Sequence, residues 1–237
     1  MSSYNLKRLL QPKSIALFGG LWIENVANQI KNSNFKGNVW PINPHRKSIA
    51  GYKCFQDISD LPGVPDTAFI GVNRTKTLEI LTKLNEVGCG GATCFAAGFS
   101  EVDKYGKQLQ KKLSKASKDM PFLGPNCYGY INYLDHIHMW PDQHGGKEVE
   151  KGVAIIAQSS NIAINLTMNT RSTPIAYVLT TGNQAKIDMS DLGLAMINDK
   201  RVTAIGIYIE GFKDIKKFEK MAFSALRSNI PIVVLKS

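Results

Sequence analysis

The 237-residue sequence has no CxxC pair. Its four cysteines, Cys54, Cys89, Cys94 and Cys127, stand apart. That excludes a zinc ribbon and a thioredoxin-type dithiol, and the four read as reduced, partly buried thiols. No apolar run is long enough to cross a bilayer. The opening MSSYNLKRLLQPK lacks the apolar stretch of a signal peptide. The cytoplasm is therefore the expected location, with no membrane partner. The dinucleotide fingerprint GxGxxG and the phosphate loop GxxxxGK[ST] are both missing. Acidic residues are scarce, 19 against 29 basic ones, for a net charge of +10. Such an excess suits nucleic acid, a membrane surface or an anionic small ligand, but here it is spread thinly. Its densest piece, KYGKQLQKKLSKASKD, repeats Tyr105, Leu109, Leu113 and Ala116 on one helical face, which leaves the lysines as a solvated side. No basic-aromatic platform or helix-turn-helix accompanies the charge, so no nucleic-acid partner is expected.

Hydrophobic residues make up 43% of the chain, enough for a substantial core. Short apolar runs recur at 14–19, 38–43, 66–72, 91–97 and 120–124, with amphipathic stretches such as TKTLEILTKLNEVG between them. This alternation predicts βαβ units around a parallel sheet, with helices on both faces. The pattern breaks between Tyr130 and Glu150, where YINYLDHIHMWPDQHGGKEVE is polar, aromatic and turn-rich. It restarts with VAIIAQ, IAYVLT, TAIGIYIE and IPIVVLK, separated by helical stretches. The expected organisation is α/β throughout. Residues 1–130 form a Rossmann-like domain, 131–150 an irregular connection and 151–237 a smaller flavodoxin-like domain, both sheets mainly parallel.

SIALFGG followed by LWIENVANQIKNSNFKG reads as strand, tight turn and helix. A helix N-terminus behind a Gly turn favours phosphate, although only Gly19 and Gly20 are present. The second strand ends in PINPHRK. An NAD site wants a carboxylate there to bond the ribose. This sequence offers His45, Arg46 and Lys47, which suit a ribose carrying an extra phosphate. NADP and coenzyme A both fit, and so does a merely exposed basic loop.

PKSIALFGG, VWPINPHRKSIAGYKCF, GFSE, LGPNCYGYIN, IAQSSNIA, TTGNQAKID, DKRVTAIGIYIEGFKD and IPIVVLKS occur in this order. Their order and spacing resemble the NDP-forming acyl-CoA synthetases, a family that includes ADP-forming acetate–CoA ligases and the α subunit of succinyl-CoA synthetase. The resemblance covers nearly the whole chain. It implies a CoA-binding Rossmann-like domain followed by a flavodoxin-like ligase domain. The implied reaction joins an acid and CoA at the expense of ATP, through an acyl phosphate and a phosphohistidine. CoA and a small carboxylic acid would be the ligands. ATP or ADP with Mg would act through an ATP-grasp domain or subunit. A homo-oligomer is left open.

Carried over residue by residue, Gly19 and Gly20 match the loop near the CoA phosphates. Pro44 and Arg46 match the turn near its nucleotide end, and Gly98 and Phe99 lie along the pantetheine path. Asn126, in GPNC, matches an asparagine near the reactive end, although an Asn there also suits a self-capping turn. Ser159 and Ser160 would bind phosphate at a helix N-terminus or simply cap it. Glu210, at a strand end, matches the glutamate that orients the phosphorylated histidine.

This sequence departs from the family at GGLWIEN, where small residues are usual. It departs again at Gln-Ser-Ser, where Ser160 replaces a glycine, and at VNRT, where proline is common. Its only histidines are His45, His136, His138 and His144, none at the position of the family's catalytic histidine. The histidine loop and the ATP-grasp module are thus expected outside these residues, leaving this stretch able to bind CoA without turning over. His136, His138 and His144 show no orienting partner, so no metal site is expected, and Trp140 is expected to line the acyl pocket. The competing readings are a non-catalytic CoA-sensing module, such as half of an acetyltransferase fusion, and an NADP-dependent oxidoreductase.

Overall fold

A computed structural model describes residues 4–237. The first half runs α1 (Lys7–Leu10), β1 (Ser14–Gly19), α2 (Leu21–Asn32), β2 (Asn38–Ile42), β3 (Ser48–Ile49), β4 (Tyr52–Lys53), β5 (Thr67–Gly71), α3 (Arg74–Glu86), β6 (Ala92–Cys94), α4 (Lys104–Ala116) and β7 (Phe122–Leu123). The second half continues with β8 (Tyr130–Asn132), β9 (Ile137–Met139), β10 (Gly152–Ala157), α5 (Ser160–Thr167), β11 (Ile175–Thr180), α6 (Met189–Ile197), β12 (Val202–Ile209), α7 (Ile215–Arg227) and β13 (Ile232–Lys236). Among the described residues no helix is long and apolar enough to cross a membrane.

The first sheet has the order β2-β1-β5-β6-β7, with every pair parallel. Helices cover it, so its central strands are apolar on both faces. Residues 14–18 of β1 are all buried. The order reverses direction at β1, with β2 on one side and β5 on the other. A crevice therefore opens beyond their carboxyl ends. Helices α3 to α7 start where side chains take up orphan N–H groups. Asn73 accepts from the Lys76 N–H, Asp103 from Gly106, Ser159 from Ile162 and Asp214 from Lys217. Asp188 and Asp191 form a reciprocal capping box on α6.

The second sheet has the order β13-β12-β10-β11-β8-β9. Its first four strands are parallel, and β8 and β9 add on antiparallel. The expected irregular connection 131–150 is thus corrected. Its first part is a hairpin that completes the second sheet, with Ile131 opposite Val178 and His138 opposite Ile131. Tyr133 and Trp140, which flank the paired residues, are buried against the sheet's core.

One apolar cluster runs through both halves, joining Leu9, Ile15, Leu17 and Ile23 to Tyr130, Tyr177, Leu192 and Ile205. Polar groups cross the same junction. Tyr130 Oη donates to the Leu9 carbonyl at 2.5 Å and Asn132 Nδ2 to the Leu10 carbonyl at 3.1 Å. Asn25 and Gln29 of α2 donate to the Pro141 and Asp142 carbonyls at 3.1 and 2.7 Å. At the far edge, β13 leaves Val233 71% and Leu235 64% exposed.

α4 differs from its sequence pattern. Its buried face is Gly106, Leu109 and Leu113, and Tyr105 is 55% exposed. Gly106 sits so close to the Phe99 carbonyl that a Cβ could not fit. That contact rotates Tyr105 outward, where the Arg74 guanidinium lies 5.1 Å from its ring centre.

Candidate functional site

Three hollows adjoin one another along the carboxyl ends of β1, β5 and β6. The first, about 430 Å³, lies beyond β1, β2 and β5, and Gly19, Gly20, Asn43, Pro44, His45, Asn73, Lys76 and Lys83 line it. The second, about 450 Å³, shares Gly71, Val72 and Asn73 with the first and adds Trp22, Arg74, Phe95, Ala97 and Gly98. The third, about 420 Å³, shares Phe95 and Ala97 with the second and adds Asn126, Tyr128, Gln158, Ser159, Ser160 and Glu210. Together they make one groove that starts at the first sheet and ends where the two sheets meet.

Close backbone packing shapes its start. Gly19 has φ +143°, and a Cβ there would lie 2.6 Å from the Gly71 carbonyl oxygen. Only glycine lets β1 and β5 come so close at their ends. Asn43 Nδ2 donates to the Gly19 carbonyl at 2.8 Å and fixes the turn after β2 against this loop. Pro44 lines the hollow.

Arg46 is not a lining residue. Its guanidinium bonds Glu24 of α2 at 2.7 and 3.3 Å, which holds the Glu24 carboxyl below the usual range. The cationic groups that do face the hollow are Lys76 and Lys83. Lys83 pairs with Asp57 at 3.1 Å. Lys76 has no such ion pair among the described residues. Sequence reading missed it because it lies on the first turn of α3, in a segment that reads only as amphipathic helix.

In the second hollow, Gly98 contributes its backbone, with φ +95°. Phe99 does not contribute a side chain, because its ring is fully buried in the first domain's core. The expectation for Phe99 is corrected: the ring packs beneath α4, and only the Phe99 backbone stays near the groove. Trp22, 43% exposed, meets Phe95 with ring centres 4.8 Å apart. Phe95 in turn meets Tyr128 at 5.6 Å, so aromatic faces run along the groove wall.

The third hollow gathers residues from both domains. Asn126 is exposed and has φ +58°; its N–H donates to the Ala96 carbonyl at 2.9 Å, and among the described residues its side chain takes no hydrogen-bond partner. Ser159 Oγ accepts from the Ile162 N–H at 3.4 Å and so caps α5. Ser160 Oγ accepts from the Tyr128 N–H at 3.4 Å, a bond between the two domains. Glu210 is exposed at the end of β12, and its N–H and that of Gly211 donate to Gln158 Oε1 at 2.5 and 2.8 Å. Gln158 thereby locks the two strand ends of the second domain to each other. It was legible only as part of Gln-Ser-Ser, without a role of its own.

Trp140 and the histidines of the hairpin region lie elsewhere. Trp140 is fully buried, edge-on to Tyr128 with centres 5.5 Å apart, and its Nε1 has no partner. It belongs to the core behind the groove, so its expected place in the acyl pocket is corrected. His138 and His144 face each other with ring centres 4.7 Å apart, and His144 Nδ1 lies 3.0 Å from Tyr133 Oη. Burial drives the His138 pKa down to about 3. His136 instead meets Glu148 at 2.8 Å. Among the described residues no three His, Cys, Asp or Glu side chains are grouped to hold a metal.

Residues 13–133 match the family described as a CoA binding domain, and residues 150–237 match a succinyl-CoA ligase like flavodoxin domain. The ADP-forming acetate–CoA ligase of Methanocaldococcus jannaschii is 33% identical over 99% of this chain and 33% of its own length. The α subunit of ADP-forming acetate–CoA ligase II from Pyrococcus furiosus is 28% identical over 98% of this chain and 52% of that subunit. Among solved structures, the apo form of a dinucleotide forming acetyl-coenzyme A synthetase 1 from Ca. Korarchaeum cryptofilum superposes with a TM-score of 0.88 at 30% identity. That match covers 98% of this chain and 52% of the other. The chain thus spans about a third to a half of the length of these relatives.

Proposed function

The chain belongs to the NDP-forming acyl-CoA synthetase family, as its CoA-binding and ligase-like region, and from that membership we propose that its groove holds CoA for acyl transfer. The overall reaction is acid, CoA and ATP going to acyl-CoA, ADP and phosphate. The continuity of the three hollows carries this reading. A long ligand with a charged nucleotide at one end and a thiol at the other fits a groove with that polarity.

Lys76 and His45 face the end that would take the nucleotide phosphates. Trp22, Phe95 and the Gly98 backbone line the middle, which suits the uncharged pantetheine arm. The thiol would then reach Asn126, Ser159, Ser160 and Glu210. There the thiol sulfur attacks the carbonyl carbon of an acyl phosphate. The C–S bond forms, the C–O bond to phosphate breaks, and phosphate leaves with the electron pair, taking up the proton that the thiol gives up, as the hydrogen phosphate dianion. The start of α5 offers N–H groups and a positive dipole end to the departing dianion. The Asn126 amide can donate to the acyl oxygen as negative charge collects there. Glu210 would accept from a histidine ring brought to this hollow and hold it ready to carry phosphate. That histidine, and ATP with Mg, would come from a further segment or an ATP-grasp domain or subunit. A small carboxylic acid is the co-substrate. The organisation into a CoA-binding domain and a ligase domain, whose sheet takes in the hairpin of β8 and β9, belongs to the same proposal.

Calorimetric titration of this chain with CoA tests the reading, with dephospho-CoA and NADPH as controls. The expected result is micromolar CoA binding that weakens without the 3′-phosphate. NADPH binding as tight as CoA binding, or no CoA binding by the folded chain, would overturn it.

A further inference from the structure

The backbone that forms the Gly98 wall is held from the other domain. Glu101 Oε1 accepts from the Gly98 and Phe99 N–H groups at 2.6 and 3.2 Å. Glu101 Oε2 accepts from Asn183 Nδ2 at 2.5 Å. The same Asn183 nitrogen donates to Gln110 Oε1 at 3.0 Å, and that oxygen also accepts from the Ser100 N–H at 3.3 Å. On the groove side, Arg74 Nη1 donates to the Gly98 carbonyl at 2.5 Å. Gly98 is therefore gripped on both of its backbone polar groups.

Asn183 is itself well anchored. Its N–H donates to the Pro125 carbonyl at 2.9 Å, and the Ala185 N–H donates to the Gly124 carbonyl at 2.9 Å. Thr180 Oγ1 accepts from the Gly129 N–H at 3.0 Å. The segment after β11 is thus fastened along GPNCYG and reaches past it to the 98–101 loop. Burial pushes the Glu101 carboxyl upward, but the bonds from Asn183, Gly98 and Phe99 outweigh it and hold the group below its ordinary value. A carboxylate between three N–H donors makes stronger bonds than a neutral acceptor would.

Neither Glu101 nor Asn183 lines any of the three hollows. We propose that Asn183, acting through Glu101, is a positioning residue that sets the Gly98 wall and so couples the second domain to ligand affinity in the first. This rests on the assignment of the groove to CoA.

A donor–acceptor exchange tests it. Asn183→Asp puts a second carboxylate against Glu101, and Asn183→Ala removes the donor without adding charge. The double variant Glu101→Gln with Asn183→Asp restores that bond with its polarity reversed, while the amide oxygen that replaces the carboxylate still serves Gly98 and Phe99; Gln110 turns its amide to donate to the new carboxylate and gives up the bond from the Ser100 N–H. Amide exchange at Gly98 and Phe99 and the CoA affinity are measured for each, alongside Tm. Each single variant is expected to speed both amides and weaken CoA by about tenfold, the scale of one bond to a charged group. The double variant recovers part of both losses, which a nonspecific loss of stability would not do. Unchanged exchange at both amides would overturn the proposal. So would faster exchange with unaltered CoA affinity, or a folded double variant that recovers nothing. If the unaltered chain binds no CoA, the groove assignment fails, and exchange alone decides whether Asn183 sets the loop.

Discussion

Replacing Gly19 by alanine tests whether the groove depends on the close approach of β1 and β5. Two costs add. The backbone at φ +143° disfavours any residue with a Cβ, at about 1–3 kcal/mol. The new methyl would also stand 2.6 Å from the Gly71 carbonyl oxygen, in the register pair that closes the two strands. Forcing such an overlap open costs about 1–3 kcal/mol more. Gly88→Ala supplies the baseline for a positive-φ glycine without a close contact, because Gly88 has φ +79° with nothing within 4 Å of a Cβ. That control is expected to lose only about 1 kcal/mol. Urea unfolding of both variants gives the difference, with CoA titration alongside. Gly19→Ala is expected to lose at least about 1 kcal/mol more than the control, with Tm lower by roughly 2–4 °C for each kcal/mol. Its CoA affinity falls and that of the control does not. Equal destabilisation by the two substitutions would refute the reasoning.

Lys76→Ala is expected to weaken CoA more than Arg46→Ala, because Lys76 faces the hollow and Arg46 is held by Glu24; parallel titrations at two salt concentrations decide this. Tyr130→Phe leaves the Leu9 carbonyl without its buried donor and is expected to cost about 1–3 kcal/mol in urea unfolding. Stability is also expected to fall in mild acid through His138. Burial first, then His144 and His136, hold its folded pKa down to about 3, so the unfolded chain takes up a proton near pH 6.5 that the folded chain refuses. The stabilisation is whole above pH 6.5 and is lost downward at about 1.4 kcal/mol per pH unit until the folded group titrates. A His138→Phe variant should show a shallower slope between pH 6 and 5.

The alternation of apolar runs placed most parallel strands, because a strand buried on both faces writes its own signature. The glycine turn, GPNC and the end of β12 likewise marked parts of the site. The β8–β9 hairpin did not show, since Tyr130, Asn132 and His138 look like loop residues until their partner strand β11 is known. Phe99 and Trp140 misled for the opposite reason. Next to a groove, an aromatic residue can face inward to the core as readily as outward, and only packing decides. Arg46 had the right chemistry, but Glu24, 22 residues away, already engages it. Gln158 and Asn183 act through contacts between distant segments, which local spacing does not encode, and Lys76 reads only as one more charge on an amphipathic helix.

The single apolar cluster that runs from Leu9 to Ile205 has a thermodynamic consequence. Two sheets that share their interior cannot melt independently without exposing each other's side chains to water. The chain should therefore absorb heat in one endotherm, with van't Hoff and calorimetric enthalpies in agreement. CoA bound at the first sheet would then raise the melting temperature of the second along with it.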